Sequence, residues 1–338
     1  MPSSVVTWIE EQSYAVDVRE FGGPLDDLRP MAPMLRDATV VALGAAARHT
    51  RELSVAAHRV VRLLVEHEGF RSVALEGDDP ARLGLDVYIA TGAGDPRELL
   101  SQARVFWQTR EILDLVGWMR SYNLLHPDDP VRFAEPAGAP VEHGIRLDGL
   151  AGVERTLADG VLSWLDRTGD KIVYWGGSAH TAVGDPRTVS PSEPAETHRN
   201  MGGYLRRSLG EGYRSVGLTL GRGADGLELP APGAHLADAV LDEAARGRPA
   251  YLLDLRAARP EPVRRWLDAP TRTRLVGPFY EPAEDHAHHL SGGSLSGWFD
   301  AVVHISRVTP GGPLPPSKAE RAAGHLGEVT GAASRRQD

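Results

Sequence analysis

The chain contains no cysteine. Disulfides, thiolate metal ligands and a cysteine nucleophile are therefore excluded. Lysine is nearly as scarce, with Lys171 and Lys318 against 35 arginines. That bias fits a GC-rich coding genome and carries no chemistry. No apolar run approaches the ~18 residues of a membrane span. The opening Met1-Pro-Ser-Ser-Val-Val-Thr-Trp-Ile-Glu-Glu lacks the basic and apolar regions of a secretory signal, so a cytoplasmic protein is expected. A basic balance is missing too. The formal net charge is -9 over 338 residues, which argues against nucleic acid or an anionic membrane as partner.

What is present is an alternation of strand-like and helix-like segments. Thr39-Val-Val-Ala-Leu-Gly44 is a β-branched apolar run ending at a glycine. A polar turn with Arg48, His49 and Arg51 follows, and then an amphipathic helix over 50–68. Its apolar positions Leu53, Ala57, Val60, Val61, Leu64 and Val65 share one 3.6-residue face, and Gly69 is placed as its left-handed cap. Further strands are expected at 72–76, 131–135, 171–175, 215–220, 250–255 and 301–305. Helices are expected across much of 80–125 and at 149–167, 201–209 and 236–246. This order predicts an α/β fold: a mainly parallel central sheet flanked by helices, with helical insertions. Residues 1–36 read as a lead-in helix with Trp8, Ile9 and Val16 inward, followed by a Pro-rich segment. Residues 37–310 form the α/β domain. The Pro-Gly-rich stretch from Thr309 onward reads as disordered, with 311–338 as the tail.

In parallel α/β sheets, ligands bind beyond the carboxyl ends of the strands. Three such ends carry groups that could converge: Arg48, His49 and Glu52 at the first, Glu76 at the second, and Ser178 with His180 at the fourth. A histidine and a carboxylate at neighbouring strand ends can act as a general base and its orienting partner. The bland alternatives are a loop or helix-capping histidine and an N-capping acid. Ser178 lacks the G-x-S-x-G elbow of a serine hydrolase. No phosphate-binding or dinucleotide-binding glycine motif follows a strand, so no cofactor is expected. His286, His288 and His289 beside Glu281 have no zinc-ligand spacing, and no metal is expected. The neighbouring Ser291-Gly-Gly-Ser-Leu-Ser-Gly reads as a flexible lid or a flexible loop. His58 and Arg59, inside the first helix, read as structural.

Four ordered segments resemble the erythromycin esterase family. They are Val41-Ala-Leu-Gly44 through Thr50-Arg-Glu52 and His58-Arg59 to Ala74-Leu-Glu76; Glu111-Ile-Leu-Asp-Leu115 with Trp118, Arg120 and Asn123; Lys171-Ile-Val-Tyr-Trp175 through His180 to Asn200-Met-Gly-Gly203; and Phe299-Asp-Ala-Val-Val-His304 with Arg307. The resemblance spans about 39–310. It implies a deep cleft at the strand ends, where a histidine in the first loop acts as base toward water in cleaving a macrolactone ester. It also implies departures in this chain. Ala45 stands where the family has a glutamate and Arg48 where it has the base histidine, while Gly177 and Ser178 replace His-Asn. Glu76 and His180 remain. Arginine, with a pKa above ~12, is no base near neutral pH, and losing a general base costs ~10²–10⁴ in rate. His49, one position later, is the candidate substitute. Glu76, His180 and His49 are therefore expected to be catalytic, with Arg48, Arg51, Ser178 and His288 contacting substrate. The expected partner is a small-molecule or peptide-derived natural product, met by a divergent enzyme or by a non-catalytic binding relative.

Overall fold

A computed structural model of the chain describes residues 2–77, 80–134, 149–185, 187–190, 197–277 and 280–317. Its strands are β1 (Tyr14–Ala15), β2 (Val40–Ala45), β3 (Phe70–Leu75), β4 (Arg132–Phe133), β5 (Lys171–Gly177), β6 (Arg187–Ser190), β7 (Thr197–His198), β8 (Tyr213–Gly223), β9 (Ala250–Asp254), β10 (Thr271–Arg274), β11 (His289–Gly293) and β12 (Ala301–Val308). Eight of them form one sheet in the order β1-β9-β12-β8-β2-β5-β3-β4. Pairing is parallel from β12 through β4 and antiparallel where β9 meets β12 and β1. The expected mainly parallel α/β architecture is therefore the observed one.

β2 is buried along its whole length, as a central parallel strand covered on both faces must be. One face packs on the helix Arg51–Glu68, whose predicted stripe is buried from Leu53 to Val65. Gly69 caps that helix at φ 74°. The other face packs on the helices Gly149–Thr168 and Met201–Leu209. The lead-in helix Pro2–Gln12 buries Trp8 and Ile9 against a third apolar cluster.

Three parallel strands bring glycines into register, Gly44 lying beside both Gly176 and Gly217. A Cβ on Gly44 would collide with Thr181 Oγ1 and crowd Ser178, and one on Gly176 would collide with the Glu76 carboxylate. The bare backbone lets two chain segments fold down onto the strand ends. That close approach builds the site.

Two readings of the sequence need correction. Ser291-Gly-Gly-Ser-Leu-Ser-Gly is neither lid nor loose loop: its first part lies in β11 and its second in the helix Leu295–Trp298. β11 is one of the two inner strands of a small antiparallel sheet, β10-β11-β6-β7. Strands such as Thr-Arg-Thr-Arg at 271–274 are short and polar, and so carry no apolar alternation. The second correction concerns 309–317, where Gly312 N–H donates to the Glu111 carboxylate and Pro310 bridges to Thr50. Residues 318–338 lie outside the described residues, as does Glu135 at the end of the expected strand 131–135.

Candidate active site

Glu76 follows β3 directly. Its N–H donates to Trp175 O at 3.0 Å, so the ladder runs one residue past the strand and aims the carboxylate across the end of β5. There Gly177 N–H donates to Glu76 Oε2 at 2.7 Å. Arg48 Nη2 donates to Glu76 Oε1, with its guanidinium 4.0 Å from the centre of the Phe106 ring. Behind the carboxylate, Trp107 Nε1–H donates to Glu76 O at 3.0 Å.

His180 lies in the single turn Ser178–Thr181 that continues from β5. Its Nδ1 is 2.9 Å from Glu154 Oε1, and its Nε2 is 3.5 Å from Glu76 Oε1. Glu154 is almost sealed from solvent, its side chain 2% exposed. Oε1 also accepts from Arg187 Nη2 at 2.7 Å, and Oε2 accepts Met201 N–H at 2.8 Å. His198 Nε2 stands 3.7 Å away. The imidazole is thus gripped by two carboxylates while 22% of its side chain stays open.

The charges follow from these contacts. Burial opposes ionisation of Glu154, yet His180, His198 and Arg187 outweigh it and hold the carboxyl far below the usual range. Glu76 is also held low, its burial outweighed by Arg48, His180 and the Gly177 N–H. Burial alone would strip the proton from His180, but the two carboxylates push its pKa above the ordinary imidazole value. His49 moves the opposite way, lowered by partial desolvation and by the Arg48 charge. Burial and Glu76 keep the Tyr174 phenol neutral, well above its ordinary value.

Of the residues singled out in the sequence, Glu76, His180 and Arg48 converge. His49 makes no contact with Glu76 among the described residues. At φ 60° it lies in the left-handed region, at the surface, where it borders a cavity of about 10 Å³ with Arg48, Phe106 and Gly176. Ser178 is buried, 2% exposed, and packs close to Gly44. Arg51 reaches Arg19 O and lines a separate cleft of about 340 Å³ with Phe21, His58 and Arg110. His288 packs on the Tyr280 ring, and its Nε2 meets Glu281 N–H at 3.4 Å. No contact among the described residues joins it to Glu76 or His180. His289 Nδ1 faces His286 O at 3.2 Å, so these histidines do not point to one centre.

Glu154, Arg187, His198 and Phe106 have no part in the site as read from sequence. A signal for Glu154 existed. It sits with Ala158 and Val161 on the buried stripe of its helix, where an acid needs a partner. Arg187 and His198 face each other across the unforeseen small sheet.

A histidine held by a buried acid at the strand ends of a doubly covered parallel sheet defines an α/β protein with a candidate acid/base site. The model of one family, described as erythromycin esterase, matches residues 65–134 and 145–308. The chain belongs to the erythromycin esterase family. Solved structures agree on the fold. A Bacillus cereus protein is 18% identical, with a TM-score of 0.76 over 92% of this chain and 98% of its own. A succinoglycan biosynthesis protein is 19% identical, with a TM-score of 0.73 over 93% and 99%. A mutant of the erythromycin esterase EreC in its open conformation is 13% identical, with a TM-score of 0.61 over 90% and 99%. No curated protein matches the chain at a significant level. Among the described residues, no helix is long and apolar enough to cross a membrane.

Proposed function

We propose that the chain is a hydrolase-type acid/base enzyme that opens an ester or lactone in a natural-product or peptide-derived substrate. One observation carries this reading: His180 is partly open to solvent, yet its Nδ1 is fixed by buried Glu154 and its Nε2 faces Glu76. An imidazole with an orienting carboxylate is the working unit of general acid/base catalysis. Between two anions it keeps its proton, so it serves as the acid that protonates a leaving alkoxide. His49, with its pKa lowered, supplies a neutral imidazole beside Arg48. Pairs of groups whose environments push their pKa values apart divide into acid and base in this way. Arg48 has five N–H donors, enough to hold Glu76 and polarise a substrate carbonyl. The same groups would serve an elimination or cyclisation without activated water.

The test is turnover of a panel of macrolides and simple lactones by the purified protein and by His180→Ala and His49→Ala. Each substitution is expected to lower kcat by about 10²-fold or more. Turnover equal in all three proteins would remove both histidines from the mechanism.

A second reading, a cleft that binds without reacting, is favoured by the Arg48–Glu76 ion pair at the place where the family resemblance puts its base. It predicts saturable ligand binding with no ester cleaved. It also predicts that Arg48→His raises turnover from nothing, because Glu76, His180 and Glu154 are already in place.

A further inference from the structure

The stretch Pro310-Gly-Gly-Pro313 contributes no side chain to the acid/base cluster, yet it is tied to both segments that shape it. Toward the first, Arg51 N–H donates to Thr309 O at 3.0 Å and Gly311 N–H to His49 O at 2.6 Å. Glu52 answers with both oxygens, taking Thr309 N–H at 2.7 Å and Thr309 Oγ1–H at 2.8 Å. Toward the second, Arg110 N–H donates to Gly312 O at 2.9 Å, and Gly312 N–H is shared by the two Glu111 oxygens at 3.0 and 3.2 Å. Arg110 begins the helix that follows Phe106 and Trp107, the residues stacked on Arg48 and hydrogen-bonded to Glu76.

The two glycines sit in tight contact. A Cβ on Gly311 would lie 3.1 Å from His49 O, and one on Gly312 would lie 2.9 Å from Arg110 Cβ. The held conformation is also costly. A left-handed backbone is disfavoured for a residue that carries a Cβ, and it persists only where its surroundings over-determine it.

We propose that Glu52, Glu111 and Gly311 are positioning residues: through the strap 309–313 they hold His49 in its left-handed turn and thereby fix Arg48 on Glu76 beneath Phe106. This deepens the acid/base reading of the same site and rests on it for its catalytic meaning. The geometry itself can be tested without any turnover.

The experiment is NMR of the Arg48 guanidinium protons and of the His49 ring in the full chain. In wild type, the ion pair with Glu76 gives a slowly exchanging Arg48 signal, which Glu76→Gln abolishes and so assigns. Gly311→Val and Glu111→Ala are expected to erase that signal and to raise the His49 midpoint by about half a pH unit, roughly threefold in proton affinity. Glu111→Gln keeps a carbonyl acceptor for Gly312 N–H and is expected to restore the wild-type spectrum. If Gly311→Val does not fold, Glu52→Ala replaces it. Arg48 and His49 signals unchanged in folded Glu111→Ala and Glu52→Ala would overturn the proposal. Absence of ester turnover with the shifts present would remove the hydrolase reading and leave the strap's role standing.

Discussion

At the scale of single residues, His180 owes its charge to Glu154 more than to Glu76, because Glu154 is nearer and more completely buried. Glu154→Gln would leave a hydrogen-bond acceptor for Nδ1–H and remove the anion. The His180 midpoint, followed by NMR titration, is expected to fall below its wild-type value; an unchanged midpoint would assign the effect to Glu76 alone. His58 gives a second titration, unconnected with function. Burial and the nearby Arg62 charge push it down to about 3, and it stacks on Phe21 at 4.7 Å. The unfolded chain takes up this proton near the ordinary value of 6.5 and the folded one does so only near 3. Stability from this group is therefore complete above 6.5 and is lost as pH falls, up to about tenfold in the folding constant per pH unit. His58→Phe keeps the stack and is expected to flatten denaturation midpoints measured between those pH values. Glu76 and His180 were legible because each ends an obvious strand. Arg48 and His49 could not be told apart in sequence, since a single left-handed residue decides which of them faces Glu76.

At the scale of elements, long amphipathic or fully apolar segments declared themselves. The helix Met201–Leu209 falls where expected, and so does the helix Arg51–Glu68 to within a residue. The small sheet did not, because β6, β7, β10 and β11 give only Val189 and Leu290 to an apolar cluster and otherwise rely on cross-strand pairing and buried Arg187 and Arg274. The Pro-Gly stretch after β12 misled for a related reason: glycine is required both by flexible chain and by tight contact, and only the neighbours distinguish the two. The glycine row across β2, β5 and β8 is the converse case. Its first member is sterically committed, so Gly44→Ala must displace Thr181 and Ser178. Overpacking of this kind costs about 1–3 kcal/mol. Urea denaturation should show that loss, together with a changed His180 titration, because Thr181 and His180 share one turn. A stability loss without any His180 change would detach the row from the site.

At the scale of the molecule, the segment between the lead-in helix and β2 buries apolar side chains from Val16 to Ala38 in the main core and is tied to it through one buried cation as well. Arg59, 1% exposed, meets both Asp27 oxygens and the carbonyls of Asp17 and Pro24. Removing the anion strands a buried charge, a loss of about 3–5 kcal/mol, and the two carbonyls keep Asp27→Ala near the lower figure. Hydrogen exchange should then quicken across 14–36 before it does in β2, and uniform exchange would contradict that order. The sheet's strand order has a consequence for how the chain is made. β12, the last strand in sequence among the described residues, lies between β8 and β9. While the ribosome is still supplying residues before Ala301, β8 and β9 each present an open edge, and no strand joins β1-β9 to the β8-β2-β5-β3-β4 part of the sheet. Closing it is a long-range event that waits until β12 has been made, and exposed strand edges are where nascent chains aggregate.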